Sequence, residues 1–247
     1  YTPEACLQFK DHFQAQVRSA CHQRNTGTVG LKISKVVVVG DLFVGKTSLI
    51  NRFCKDIFDR DYKATIGVDF EIERFEITLL LSFHCELLLV YFHLSFSPTA
   101  IYFSPCDSLL FALFSLAHLI PSSSFLCFRQ WLEDALRENE PGSSFIFLVG
   151  TKKDLSGATC ERTERDAIRF ASEMQAEYWS VSAKTGENVK EFFSRVAALA
   201  FERSMLKELE KSNGRMAQIG AGNLISISFY LRCCQSKMPS CFQETLW

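Results

Sequence analysis

The 247-residue sequence predicts an α/β fold: a three-layer sandwich around a mostly parallel sheet, disrupted in its middle by an aberrant apolar segment. Three observations carry this. Unbroken runs of β-branched and apolar residues mark buried strands, amphipathic stretches alternate with them, and the interval 78–128 departs from the composition of everything around it. Alternating strands and helices need crossover connections, which build parallel sheets covered by helices on both faces.

In chain order, Phe9, Phe13 and Val17 recur every four residues and predict one short amphipathic helix in an N-terminal extension, to which no chemistry is assigned. Lys35 to Val39 reads as a buried parallel strand, and a Gly-containing turn leads from it into a helix over about 46–54. A loop follows through Ile66, and Val68–Ile77 alternates as an edge strand does. Arg129–Asn139 reads as a helix stopped by Pro141 and Gly142. Phe145–Val149 is a further buried strand, Thr163–Met174 a helix and Tyr178–Ser182 a third strand. From Val189 to Leu209, the residues Phe192, Phe193, Val196, Leu199 and Ala200 cover one helical face.

Bulk properties exclude some functions. A formal charge of -1 argues against a general nucleic-acid binder, which carries a strong basic excess. The ten cysteines have no zinc spacing, and Cys233 and Cys234 are adjacent, so reduced cytosolic thiols are expected. The first thirty residues lack a basic-then-apolar leader, and the expectation is a cytoplasmic protein whose native start lies upstream of Tyr1. His12, His22, His84, His93 and His118 have neither a paired acid nor metal spacing and receive no role.

The chemistry lies in Gly40-Asp41-Leu42-Phe43-Val44-Gly45-Lys46-Thr47, which matches G-x-x-x-x-G-K-[ST] between a predicted strand and a predicted helix, with Ser48 following it in the expected nucleotide site. Such a loop turns at its first glycine and aims backbone N–H groups at phosphate oxygens beside a helix N-terminus. Lys46 brings a positive charge to the β- and γ-phosphates, and the Thr47 hydroxyl is a hard oxygen ligand for Mg²⁺. Two further stretches select the base. In Thr151-Lys152-Lys153-Asp154, a carboxylate accepts from guanine N1–H and the 2-amino group, which adenine cannot match. In Ser182-Ala183-Lys184, a backbone N–H meets the guanine oxygen while the lysine stem covers the ring. Both follow predicted strands, at the end of the sheet where such folds bind ligands.

With these motifs in order, the chain resembles the Ras-like small GTPases, and the Rab branch in particular. Tyr62-Lys63-Ala64-Thr65-Ile66-Gly67-Val68-Asp69-Phe70 resembles the Rab form of the first switch. The resemblance covers about 34–77 and 129–210. It implies a P-loop NTPase-type sandwich that binds GTP and GDP with Mg²⁺ on Thr47 and Thr65. It also implies an effector surface at Ile66, Gly67, Val68, Asp69 and Phe70, met by trafficking effectors and by exchange and activating proteins. The implied role is a switch in vesicle transport, at the cytoplasmic face of Golgi or endosomal membranes. The expected organisation is an extension over 1–33, a GTPase domain over 34–208 and a variable tail over 209–247.

The chain departs from that family in its middle. Between 78 and 128 there is no Asp-x-x-Gly-Gln, the segment that by resemblance anchors the magnesium shell, senses the γ-phosphate and orients the attacking water. No catalytic residue is therefore assigned. The interval has only Glu86 and Asp107 as acids, no Gly, Gln, Lys or Arg, and roughly two-thirds Phe, Leu, Ser and Pro. These four share all-pyrimidine codons, as expected of a retained intron. A membrane segment is the competing interpretation. Glu86 would cost about 3 kcal/mol at mid-bilayer, and Ser108–Ile120 is shorter than the roughly twenty residues a span needs. By resemblance, the missing sequence should supply the two strands flanking the one that ends at Val39. Their loss would leave buried backbone groups unpaired at about 1–3 kcal/mol each, so a poorly folded chain is expected.

Smaller departures follow. Thr151 stands where the family usually has Asn, which weakens the expected tie to the phosphate loop. Leu42 and Phe43 are bulky beside the expected γ-phosphate, which predicts slow hydrolysis. Cys233 and Cys234 precede Gln243–Trp247 instead of ending the chain, so membrane contact is expected to be peripheral and dependent on a lipid whose terminal motif is absent. The alternative function is a non-hydrolysing nucleotide-binding protein, or a defective splice or gene-model product lacking the second switch.

Overall fold

Strand β1 (Lys32–Gly40) is the axis on which the site is built. The structure is a computed structural model that describes residues 13–23, 32–41, 43–61, 68–78, 82–92, 108–115, 129, 145–155 and 157–213. They belong to one unit, Tyr1–Lys211, apart from the last two residues of the final helix. Around β1 stand β2 (Val68–Thr78), β3 (Ser82–Phe92), β4 (Ser108–Ser115), β5 (Phe145–Thr151) and β6 (Glu177–Ser180). The helices are α1 (Ala15–Gln23), α2 (Lys46–Lys55), α3 (Ala158–Glu173) and α4 (Val189–Asn213).

The six strands order as β2-β3-β1-β4-β5-β6. All neighbours run parallel except β2 and β3, which are antiparallel. The expected loss of neighbours around β1 does not occur. Val36 of β1 stands opposite Leu89 of β3 on one side and Leu109 of β4 on the other, and both partners come from the interval 78–128. A parallel ladder asks only for backbone groups and for side chains that tolerate burial, and runs such as Leu87-Leu88-Leu89-Val90 supply both. Leu87 and Leu89 are fully buried.

Strand alternation sorts side chains into two cores. Val36 and Val38 of β1, Leu87 and Leu89 of β3, and Phe147 and Val149 of β5 pack with Leu49 and Ile50 of α2 and with Phe192, Phe193 and Val196 of α4. Leu148, between two of these, turns to the opposite face and packs with Ala167 and Ala171 of α3. Phe53 of α2 stacks on Phe193 with ring centroids 3.9 Å apart, which fixes the phosphate-loop helix against α4.

Some boundaries differ from the sequence expectation. Helix α3 begins at Ala158, five residues earlier than expected, because Cys160 already sits on its inner face. Strand β6 ends at Ser180, although Val181 N–H still bonds to Gly150 O at 2.8 Å before the chain turns. Helix α1 is part of the core: Phe13, Val17, Ala20 and Cys21 are buried, and Phe13 meets Phe201 of α4 edge-on at 5.9 Å. Of the helix expected over 129–139, all but Arg129 lies outside the described residues, as does Phe9.

Candidate nucleotide-binding site

The turn after β1 is shaped by two glycines. Gly40 (φ 149°) and Gly45 (φ 96°) adopt backbone angles that strain any residue with a Cβ. Gly45 immediately precedes α2 and has no side chain to cap it, so the helix N-terminus presents backbone N–H groups to an anion. Lys46 folds back into this turn, and its Nζ donates to the carbonyls of Gly40 and Asp41, each at 2.8 Å. Burial strips solvent from the ammonium and pushes its pKa down to about 8, against the opposing pull of the Asp41 carboxylate. Thr47 and Ser48 occupy the first turn of α2, half-buried.

Strand β5 delivers the next group. The Thr151 hydroxyl, buried, donates to the Val44 carbonyl at 2.6 Å and ties the strand end to the phosphate loop. A single hydroxyl thus makes the connection expected to be weaker than that of an asparagine. Lys152 takes a positive φ of 60°, and the chain then turns back so that Lys153 N–H bonds to Val181 O at 3.1 Å. Asp154 is held from two sides: Ser182 Oγ donates to Oδ1 at 2.6 Å, and Lys184 Nζ lies 3.7 Å from Oδ2. Thr185 N–H donates to Ser182 Oγ at 3.2 Å, so the hydroxyl that orients Asp154 is itself fixed by its loop.

These loops enclose a cavity of about 430 Å³. Phe43, Gly45 and Ser48 line it from the phosphate loop and α2, and Lys152, Asp154, Ala183 and Lys184 from the ends of β5 and β6. Most of the residues expected to bind nucleotide therefore converge, with Gly40, Asp41, Val44 and Lys46 in the adjoining turn and Ser182 behind Asp154. Phe43 is 66% exposed, with φ 60°. Leu42, Thr65, Ile66 and Gly67 lie outside the described residues. Val68 opens β2, and Asp69 and Phe70 follow it, both exposed.

Phe58, Asp59 and Arg60 follow α2 and line the same cavity, although the sequence did not single them out. The signal there was weak, since Ile57 and Phe58 stand together among charged residues. Arg52 was not singled out either, and its guanidinium reaches across to the loop after β6. Among the described residues, no three His, Cys, Asp or Glu side chains converge as a metal site.

Known proteins resemble this chain over most of its length. The family described as Ras of Complex, Roc, domain of DAPkinase matches residues 35–154. Ras-related protein Rab-36 of Homo sapiens is 61% identical over 228 residues, covering 92% of this chain and 84% of the relative. Its counterpart in Mus musculus is 58% identical over 90% of this chain and 82% of the relative. Ras-related protein Rab-34 of Homo sapiens is 49% identical over 240 residues, 96% of this chain and 91% of the relative.

Proposed function

Because this chain belongs to the Rab family of Ras-like small GTPases, which act in vesicle trafficking, we propose that the cavity between the phosphate loop and Asp154 binds GTP and GDP. The observation that carries this is the junction of two chemistries in one cavity. A glycine turn holding a half-buried lysine adjoins one end, and a carboxylate braced by Ser182 and Lys184 lies at the other.

The phosphates meet the backbone of Gly40, Asp41, Leu42, Phe43, Val44 and Gly45, together with Lys46 and Ser48. Lys46 then exchanges its two carbonyl partners for phosphate oxygens, which restore its full charge. Mg²⁺ is held by the hydroxyls of Thr47 and Thr65 and supplies charge neutralisation at the β- and γ-phosphates. Asp154 accepts from the guanine edge, the Ala183 N–H donates to the guanine oxygen, and the stems of Lys152 and Lys184 border the ring. Effectors meet Ile66, Gly67, Val68, Asp69 and Phe70, the last two at the exposed edge of the sheet. Membrane contact at Golgi or endosomal surfaces is peripheral. Among the described residues, no helix is long and apolar enough to cross a membrane.

The test is displacement of a fluorescent GDP analogue from the purified chain in Mg²⁺. GDP and GTP should displace it and ATP should not. Equal displacement by ATP overturns the guanine assignment, and loss of binding in Lys46→Ala but not in the wild type locates the site.

A further inference from the structure

Arg52 stands on α2 six residues beyond Lys46, yet its guanidinium is spent on the far end of the cavity. Nε donates to the Ala183 carbonyl at 2.6 Å and Nη2 to the Lys184 carbonyl at 3.1 Å. Nη1 donates to both the backbone carbonyl and Oδ1 of Asp56, each at 3.0 Å. The side chain is 18% exposed. Its stem runs beneath the return of the loop, where a Cβ added at Gly186 would lie 4.0 Å from Arg52 Cδ. A planar fork with five donors serves three residues in this way, and a lysine ammonium has no such geometry.

We infer that Arg52 is a positioning residue for guanine recognition, locking the Ser182-Ala183-Lys184 loop to the helix that carries the phosphate loop. The inference rests on the nucleotide-binding proposal above. The two carbonyls it holds belong to the residue whose N–H faces the guanine oxygen and to the residue whose stem borders the ring. Ser182, next in line, orients Asp154. With Arg52 in place, base and phosphates meet one rigid body. The Lys153–Glu187 pair and the Ser182–Asp154 bond tie the base-selecting loop to the turn after β5, not to α2. Asp56, held at the end of α2 with φ 54°, fixes the guanidinium in turn.

The experiment compares wild type, Arg52→Ala and Arg52→Lys for GDP dissociation and for preference between GDP and ADP. Charge-assisted bonds to carbonyls carry enough energy that Arg52→Ala should release GDP about tenfold faster. It should also narrow the GDP-over-ADP preference, which a merely stabilising residue leaves unchanged. Arg52→Lys should fall between the two, and it carries the test if the alanine variant does not fold. If wild type holds GDP and both variants release it at the wild-type rate and preference, the positioning role is overturned and the nucleotide proposal stands. If wild type holds no GDP, the nucleotide proposal itself falls and takes this inference with it.

Discussion

In the proposed site, base identity rests on the single carboxylate of Asp154. It offers only acceptors, and guanine N1–H and its 2-amino group are donors. Replacing Asp154 with Asn keeps the shape and exchanges one acceptor for a donor. Xanthine carries a carbonyl where guanine has the amino group, so Asp154→Asn should lose about a hundredfold in GDP affinity and gain xanthosine diphosphate binding. Competition titrations with the two nucleotides check this, and an unchanged preference removes Asp154 from the base site. Lys46 makes a second prediction. Its pKa in the free chain, about 8 against the ordinary 10.5, means that the unfolded chain binds more protons between these values. The free protein therefore gains stability as pH rises from about 8 toward 10.5. Phosphates favour the charged form, so nucleotide binding takes up a proton: about half a proton near pH 8 and about a tenth near pH 7. Calorimetry in two buffers of different ionisation enthalpy measures it, and no uptake near pH 8 contradicts the buried lysine.

At the scale of elements, the interval 78–128 contributes pairing and packing. Leu89 is fully buried, opposite Val36 of β1 and Glu71 of β2. Leu89→Ala should cost about 3 kcal/mol in urea denaturation, the usual size for a leucine cut back in a core. A neutral result would mean that the interval does not build the sheet's centre. The strands that carry motifs were legible in the sequence because burial on both faces demands unbroken apolar runs, as in Val36–Val39 and Phe145–Val149. Strands β3 and β4 were harder to place, because Leu-rich runs without turn residues suit several registers and only the neighbouring β1 selects one. Helix α1 was legible as a helix, but its burial depends on Phe201 and Glu202, nearly two hundred residues away. Distance in sequence hid Arg52 in the same way. Its partners are backbone carbonyls, which leave no residue-type signature.

For the whole molecule, binding and turnover separate. Every group assigned to the nucleotide follows β1, β5 or β6, or in the case of Thr65 precedes β2 in the sequence, and all lie outside the interval 78–128. Strands β3 and β4 support these positions from between and beside them, so the ligand cavity survives a change of sequence that keeps the ladder. Turnover asks for more than a ladder. An acid near the magnesium shell, a glycine N–H at the γ-phosphate and an amide to orient water belong, by family resemblance, to an Asp-x-x-Gly-Gln segment that is not found between 78 and 128. The interval contains no Gly or Gln at all. Loss of one preorganised transition-state group commonly lowers a rate about 10²–10³-fold. Single-turnover phosphate release from the GTP-loaded chain should therefore be at least about a hundredfold slower than from a Rab carrying Asp-x-x-Gly-Gln. GTP and GDP should nevertheless bind with similar affinity, because the phosphate loop and Asp154 are intact. A turnover rate in the ordinary range of such Rabs would show that other residues position the water, and the loop at Phe58, Asp59 and Arg60, already lining the cavity, is where to look for them.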